Sequence, residues 1–94
     1  MKTLLVVAMM VHAGHHTTWT SHRLPAHHDV ALVRVTVNHA TLVMGDFSRA
    51  VSFMYGHGLA VRFVAKPGRR FVITASSVRK TDARLRVTYR IKHA

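Results

Sequence analysis

The sequence predicts an α+β domain: a mostly antiparallel sheet of four to five strands with one short helix over residues 46–55. Residues 83–92 alternate without interruption between apolar and mostly cationic side chains. This pattern is typical of a strand, because successive side chains point to opposite faces. Residues 46–55 instead space apolar side chains three and four positions apart, as one helix face requires. A small closed β-barrel is the alternative fold.

The chain is expected to form a single domain over residues 1–94. Hydrophobic residues make up 49% of it, which is enough for a packed core and excludes a disordered basic tail.

Residues 1–13 carry Lys2 and then an apolar run that ends at Val11. A continuous run of this length predicts a fully buried first strand. The alternative is a short secretory signal peptide, because residues 11–13 resemble a signal-peptidase site. The run is too short to span a membrane as a helix, so no transmembrane segment is expected.

Residues 14–29 are polar and are predicted to form a histidine-rich loop. Imidazole is a common ligand of zinc, copper and nickel, so this region offers weak candidate metal ligands. These candidates are His12, His15, His16, His27 and His28. Their spacing matches no specific metal motif, and we expect neutral loop histidines with no metal and no other cofactor.

A second strand is expected over residues 30–37, with Val33, Val35 and Val37 on one face and Arg34 and Thr36 on the other. Residues 38–39 suggest a turn, after which residues 41–44 continue the strand or pair with it.

The predicted helix over residues 46–55 begins at Asp46, which is a favourable N-cap residue. Gly56 supplies the left-handed position after the helix. Four residues form the apolar stripe, namely Phe47, Ala50, Val51 and Met54.

Residues 59–66 and 70–77 predict a hairpin. A three-residue loop would set Phe63 opposite Ile73 and keep the apolar residues of both strands on one face. That register requires Gly68 or Arg69 to adopt a left-handed conformation.

Charge is the strongest functional signal in the sequence. There are 14 Lys and Arg residues against 3 Asp, giving a net charge of +11, and such a surface attracts polyanions. Arginine supplies most of these cations, and its planar fork suits phosphate.

Catalysis finds little support in this composition. Asp29, Asp46 and Asp82 are the only acids, cysteine is absent, and neither a nucleophile motif nor a P-loop occurs. His57 between two glycines resembles an exposed general base, although a helix C-cap explains the same three residues more simply.

The candidate phosphate-binding residues are the cations of the predicted sheet and its loops. If the sheet has one outward face, Arg34 shares it with many of them. The predicted set is Arg62, Lys66, Arg69, Arg70, Arg79, Lys80, Arg84, Arg86, Arg90 and Lys92. Aromatic residues make up only 7% of the chain, which favours backbone contact over base stacking.

The sequence therefore predicts a small basic RNA- or DNA-binding protein that contacts the phosphate backbone without catalysis. It would act in the cytoplasm or as a subunit of a ribonucleoprotein or virion. One alternative is a structural subunit that assembles through an edge strand. Another is a secreted, histidine-rich metal-binding protein, which requires the signal-peptide interpretation.

A helix, a hairpin and a last strand reading Arg-Leu-Arg-Val-Thr-Tyr-Arg-Ile resemble the end of bacterial ribosome-dependent toxin nucleases. The resemblance does not extend to the long N-terminal helices of that family. It implies no catalytic residue in this chain.

Overall fold

The computed structural model describes residues 3–48, 51–65, 68–78 and 80–93. Within these ranges the chain forms eight strands and no helix. In chain order the strands are β1 (Leu5–Val11), β2 (His16–Arg23), β3 (His28–Val37), β4 (Ala40–Ser48), β5 (Val51–Gly56), β6 (Leu59–Val64), β7 (Arg70–Ser77) and β8 (Ala83–His93).

The strands form two four-stranded antiparallel sheets. Sheet 1 has the order β1-β8-β3-β4, and sheet 2 has the order β2-β7-β6-β5. Strands β1 and β8 pair in sheet 1, while β2 and β7 pair in sheet 2. The β1–β2 and β7–β8 connections therefore both pass from one sheet to the other.

A single hydrophobic core lies between the two sheets. Sheet 1 contributes buried residues such as Leu85 and Val87, and sheet 2 contributes Phe71 and Ile73. The ring of Phe71 lies edge-on to that of Tyr89 in sheet 1, with 5.0 Å between their centroids. This geometry is favourable for aromatic pairs and joins the two sheets at the centre of the core.

The α+β prediction is wrong because the described residues of the predicted helix lie in strands: residues 46–48 belong to β4 and residues 51–55 to β5. The local pattern was ambiguous, since short apolar runs fit either structure. The β-branched and aromatic residues of this segment favour a strand. Backbone pairing decides the outcome: Phe47 lies opposite Leu32, and Val51 lies opposite Val64.

The closed-barrel alternative is also wrong. Sheet 1 ends in the edge strands β1 and β4, and sheet 2 ends in β2 and β5. The strand number exceeds the expected four or five because β2 and β5 were not predicted as strands. In addition, residues 41–44, which were expected to continue the second strand or pair with it, belong to the separate strand β4.

Half of the predicted loop over residues 14–29 forms β2, where Thr17, Trp19 and Ser21 face inward and are partly buried. The sequence did not indicate this strand, because its inward and outward residues are mostly polar and apolar and polar residues do not alternate along it. Polar side chains are tolerated in an edge strand, because such a strand pairs on one side only and much of its surface is exposed to water.

Strand β1 forms the edge of sheet 1 and pairs with β8. Its inward residues Val7, Met9 and Val11 are buried, whereas Val6 and Met10 are exposed. The apolar run is therefore half buried, in contrast to the fully buried strand that the sequence suggested.

Two tight turns shape the hairpins. Asn38 and His39 join β3 to β4 with φ of 50° and 69°, and His57 and Gly58 join β5 to β6 with φ of 52° and 78°. Two left-handed residues in succession define the turn that best matches the twist of a hairpin. The three residues 56–58 therefore form a hairpin turn and not a helix C-cap.

The β6–β7 hairpin has the predicted register, with Phe63 opposite Ile73. Gly68 has a φ of 72°, as the predicted loop requires. Lys66, the last residue of the first predicted hairpin strand, lies outside the described residues.

Candidate nucleic-acid interface

Strand β8 carries the cations that the sequence placed on the outer face of its last strand. It lies between β1 and β3, so its backbone is paired on both sides. Leu85 and Val87 point into the core, and Arg84 and Arg86 are exposed. The alternation along β8 thus fixes its arginines on the outer face of sheet 1.

The neighbouring strand β3 adds a further cation to this face. Arg34 lies opposite Thr88, and Thr36 lies opposite Arg86. Arg34 and Arg86 are therefore diagonal neighbours with a threonine beside each. We call the outer surface formed by Arg34, Arg84, Arg86 and Arg90 the arginine face.

A shallow cavity of about 380 Å³ lies on the arginine face. Its lining consists of Arg34, Arg86, Thr36, Thr88 and His39. Guanidinium groups and hydroxyls are hydrogen-bond donors, and none of these side chains is an acid. The cavity is therefore suited to a phosphate group or another oxyanion.

The turn between β3 and β4 positions Arg84. The backbone N–H of Asn38 donates to the carbonyl of Arg84 at 2.9 Å, and Asn38 Oδ1 accepts from the Arg84 N–H at 2.9 Å. Both backbone polar groups of Arg84 are thus held by one residue. The same turn brings His39 beside the cavity.

Sequence reasoning missed Asn38, His39, Thr36 and Thr88 as parts of this site. The available signal was the dipeptide Asn38-His39, because asparagine tolerates the left-handed conformation of tight turns. The sequence suggested a turn there but not that it packs against the distant strand β8.

The arginine face has an apolar border along β1. A second cavity of about 360 Å³ is lined by Ala8 and Met10 together with Arg84 and Arg86. Met10 is 40% exposed and Val6 is 51% exposed. The cations therefore lie beside an accessible apolar surface.

Two carboxylates, those of Asp29 and Asp82, lie near the ends of sheet 1. Asp29 stands opposite Lys92 in the β3–β8 ladder. Asp82 accepts a 2.9 Å hydrogen bond from the Ala13 N–H and lies 3.4 Å from His12 Nδ1. The Ala13 hydrogen bond, and after it that of His12, lowers the pKa of Asp82. Neither carboxylate lines the two cavities.

The two-sheet architecture divides the predicted set of cations. Arg34, Arg84, Arg86, Arg90 and Lys92 belong to sheet 1. Arg62 is exposed on β6 of sheet 2, so it does not share their face.

The other predicted cations lie on connections or strand ends. Arg69 and Arg70 are exposed where the β6–β7 connection enters β7, and Lys80 is exposed in the β7–β8 connection. Lys66 and Arg79 lie outside the described residues. Of the cations that were predicted to share one outward face, those of β3 and β8 lie together on sheet 1.

The histidines are spread over several elements. His12 and His15 lie in the β1–β2 connection, and His16 begins β2. His27 has a φ of 61° in the β2–β3 turn, and the ring of His28 lies 4.1 Å from that of His93. Across the described ranges, no group of three or more metal-ligating side chains is arranged to hold a metal ion.

His57 lies in the turn between β5 and β6 of sheet 2. It lines neither cavity beside the arginines. The arrangement that suggested a general base next to a cationic sheet is therefore not present.

Comparisons with protein-family models, curated proteins and solved structures find no match to this chain. The resemblance to ribosome-dependent toxin nucleases required a helix before the hairpin, but residues 46–48 belong to β4 and residues 51–55 to β5. In the part of the chain that the structure describes, no helix has the length and apolar character needed to cross a bilayer.

Proposed function

We propose that the protein binds nucleic acid through the phosphate backbone, without catalysis, at the arginine face. The observation that carries this proposal is the arrangement of Arg34, Arg84 and Arg86 around two cavities, where the lining side chains that the structure describes include no acid. When arginines neutralise the phosphates of a nucleic acid, the counterions condensed on those phosphates are released, and this release favours binding.

The spacing of the arginines supports contact with a chain of phosphates. Side chains on one face of a strand repeat about every 6.6 Å, which is twice the rise per residue. Arg84 and Arg86 are one such repeat apart, and Arg34 extends the set across to β3. This repeat is close to the separation of phosphates in an extended strand.

The aromatic residues favour backbone contact over base stacking. Tyr89, Phe63 and Phe71 are buried in the core and cannot stack on bases from the arginine face. Phosphate contacts position a nucleic acid but carry little sequence information. We therefore expect binding with little sequence preference.

The test compares two variants that lose the same charge. In the first, Arg34, Arg84 and Arg86 are changed to Gln, and in the control Arg62, Arg69 and Lys80 are changed to Gln. All six side chains are exposed, so both variants should fold. Affinity for a single-stranded and a double-stranded oligonucleotide is measured across a salt series.

The first variant should flatten the slope of log affinity against log salt by about 2 to 3, because each lost phosphate contact removes roughly 0.7 to 0.9. The control should change the slope much less, and losses should be similar for unrelated sequences. Equal slopes for the two variants would mean that net charge alone drives binding, and the proposal for this face would be rejected.

A second candidate function is assembly through β1, as a structural subunit. The supporting observation is that β1 is an edge strand without charged residues, whose Val6 and Met10 are exposed. Unprotected edge strands pair readily with strands of other chains.

Changing Val6 and Met10 to Lys tests the assembly candidate, because charge on an edge opposes pairing. We expect sedimentation to show an oligomer for the parent chain and a monomer for the variant. A parent chain that is monomeric at high concentration would exclude this candidate.

A further inference from the structure

A third cavity, of about 410 Å³, lies at the opposite side of β8 from the arginine face. It opens at the end of the sandwich where β1 begins and β2 ends, between sheet 1 and sheet 2. It shares no lining residue with the cavities of the arginine face. Any ligand of this cavity would therefore be bound independently of the proposed phosphate contacts.

The cavity has an aromatic and aliphatic lining. Trp19 lies edge-on to Tyr89 with 6.1 Å between centroids, and edge-on to Phe71 at 5.9 Å. Tyr89 is 5% exposed, and its burial raises the pKa of its hydroxyl, so the ring is uncharged at neutral pH. Leu5 and Ile91 complete the apolar lining and remain 37% and 40% exposed.

The rim of the cavity is cationic. Arg23 and Arg70 lie directly opposite each other in the β2–β7 ladder, next to an irregularity in β2 after Thr20. Like charges directly opposite each other destabilise a sheet. An anion bound between them would remove that repulsion, and none of the described residues that line the cavity is an acid.

Hydrogen bonds hold this rim in place. Ser21 Oγ accepts from the Phe71 N–H at 2.9 Å, and Arg70 Nη1 donates to the Ser21 carbonyl at 2.9 Å. The guanidinium of Arg70 is thus oriented before any ligand arrives. Preorganised groups bind more tightly because less conformational entropy is lost.

We propose that this cavity binds a small aromatic anion. A planar ring would lie against Trp19 and Tyr89, and a carboxylate or phosphate would lie between Arg23 and Arg70. The volume is at the lower end of the roughly 300 to 1,000 Å³ that is usual for small-molecule sites. Arginine is well suited to both anions, since its planar fork donates two parallel hydrogen bonds.

The binding experiment uses 2-naphthoate as probe, 2-naphthol as its neutral counterpart, and adenosine monophosphate as an aromatic phosphate. Calorimetry measures affinity for the full chain. Because Trp19 is the only tryptophan, its fluorescence reports binding at this cavity specifically. We expect saturable binding of 2-naphthoate or of the nucleotide with a change in emission, and weaker binding of 2-naphthol.

The variant Arg23→Gln removes one cation and preserves the hydrogen bond between Arg70 and Ser21. It should weaken anion binding by about tenfold, in line with the loss of a charge-assisted hydrogen bond. Removing the repulsion should also raise the melting temperature of the ligand-free protein slightly. The control Arg62→Gln, on the exposed face of sheet 2 and outside this cavity, removes the same charge and should leave this affinity unchanged.

Preference between the two anions identifies the source of the ligand: tighter 2-naphthoate binding indicates a free aromatic acid, and tighter nucleotide binding indicates a nucleotide.

Three results would overturn the proposal. They are the absence of saturable binding at millimolar probe, equal affinity for 2-naphthol, and octanoate binding as tightly as 2-naphthoate. An equal loss in Arg62→Gln and Arg23→Gln would also reject the site, because it would show general charge attraction.

Discussion

The outer faces of the two sheets have the same backbone architecture but carry different kinds of side chain. On sheet 1, the arginine face presents guanidinium groups from β3 and β8. On sheet 2, Thr18 lies opposite Thr74, and Thr74 lies opposite Arg62. The outward residues of sheet 2 also include Thr20 and Ser76, the aliphatic Val64 and Val72, and the exposed Tyr55.

This difference shows that the fold does not require the arginines. Sheet 2 forms four paired strands with few charges on its outer face, so threonine and serine suffice to keep a strand solvated. Placing several guanidinium groups on one face costs electrostatic repulsion. The need to fold therefore does not by itself explain the cations of sheet 1, and in our proposal they bind a polyanion.

The largest effect on stability is expected from a substitution in the core that lies between the two sheets. Phe71 is 1% exposed and contacts Tyr89 across the sheets. Phe71→Ala should lower the free energy of unfolding by about 3 to 5 kcal/mol, because it removes apolar burial and leaves a cavity. Urea denaturation measures this loss, and Thr18→Ala on the exposed surface of sheet 2 is the control. Independent unfolding of the two sheets would contradict a common core.

Charge reversal sharpens the contrast between the faces. Arg86 lines both cavities of the arginine face, whereas Arg62 is exposed on sheet 2. Arg86→Glu should flatten the salt dependence of nucleic-acid binding by about 1 in slope, and Arg62→Glu by clearly less. Filter-binding titrations at several salt concentrations measure both slopes. If the two reversals have the same effect, the faces do not differ in function.

A smaller effect is expected from the turn that supports the arginine face. Asn38→Gly keeps the left-handed backbone and removes the side-chain acceptor of the Arg84 N–H. It should lower the free energy of unfolding by about 0.5 to 1.5 kcal/mol, which is typical of one hydrogen bond. His39→Gly is the matched control, since His39 is equally left-handed with a φ of 69°. Urea denaturation of both variants measures the difference. A loss in His39→Gly as large as that in Asn38→Gly would show that the hydrogen bond is unimportant.

The smallest effect concerns Asp82, at the end of sheet 1. Its pKa is lowered below the ordinary value of 3.8, chiefly by the hydrogen bond from Ala13. A lowered pKa in the folded state stabilises the protein above the unfolded pKa, and this contribution is lost as the pH falls through the folded value. Asp82→Asn should therefore be slightly less stable than the parent at pH 7 and no less stable near pH 2. A stability difference that does not depend on pH would contradict this assignment.

The sequence predicted the parts of the structure that depend on local alternation. Residues 83–92 lie within β8, with Leu85, Val87 and Tyr89 buried as expected. The β6–β7 register followed from keeping apolar residues on one face, because a slip by one residue exposes all of them. The cations of β8 were identified for the same reason.

The sequence did not predict features that depend on distant pairing. Residues 46–55 fitted a helical stripe, but residues 47–48 pair with β3 and residues 51–55 pair with β6. Polar residues of β2 gave no alternation, although β7 pairs with them. The role of Asn38 was hidden as well, because its partner Arg84 is 46 residues away.

Sequence alone determined the net charge of +11, the alternation of β8 and the face on which each of its side chains lies. These properties follow from composition and from the two-residue period of a strand. Only the tertiary structure decided that there are two sheets, that Arg34 joins Arg86 while Arg62 lies on the other sheet, and that Arg23 faces Arg70. The reason is that a strand's neighbours are chosen by burial of the whole core, and that choice is made between residues far apart in the chain.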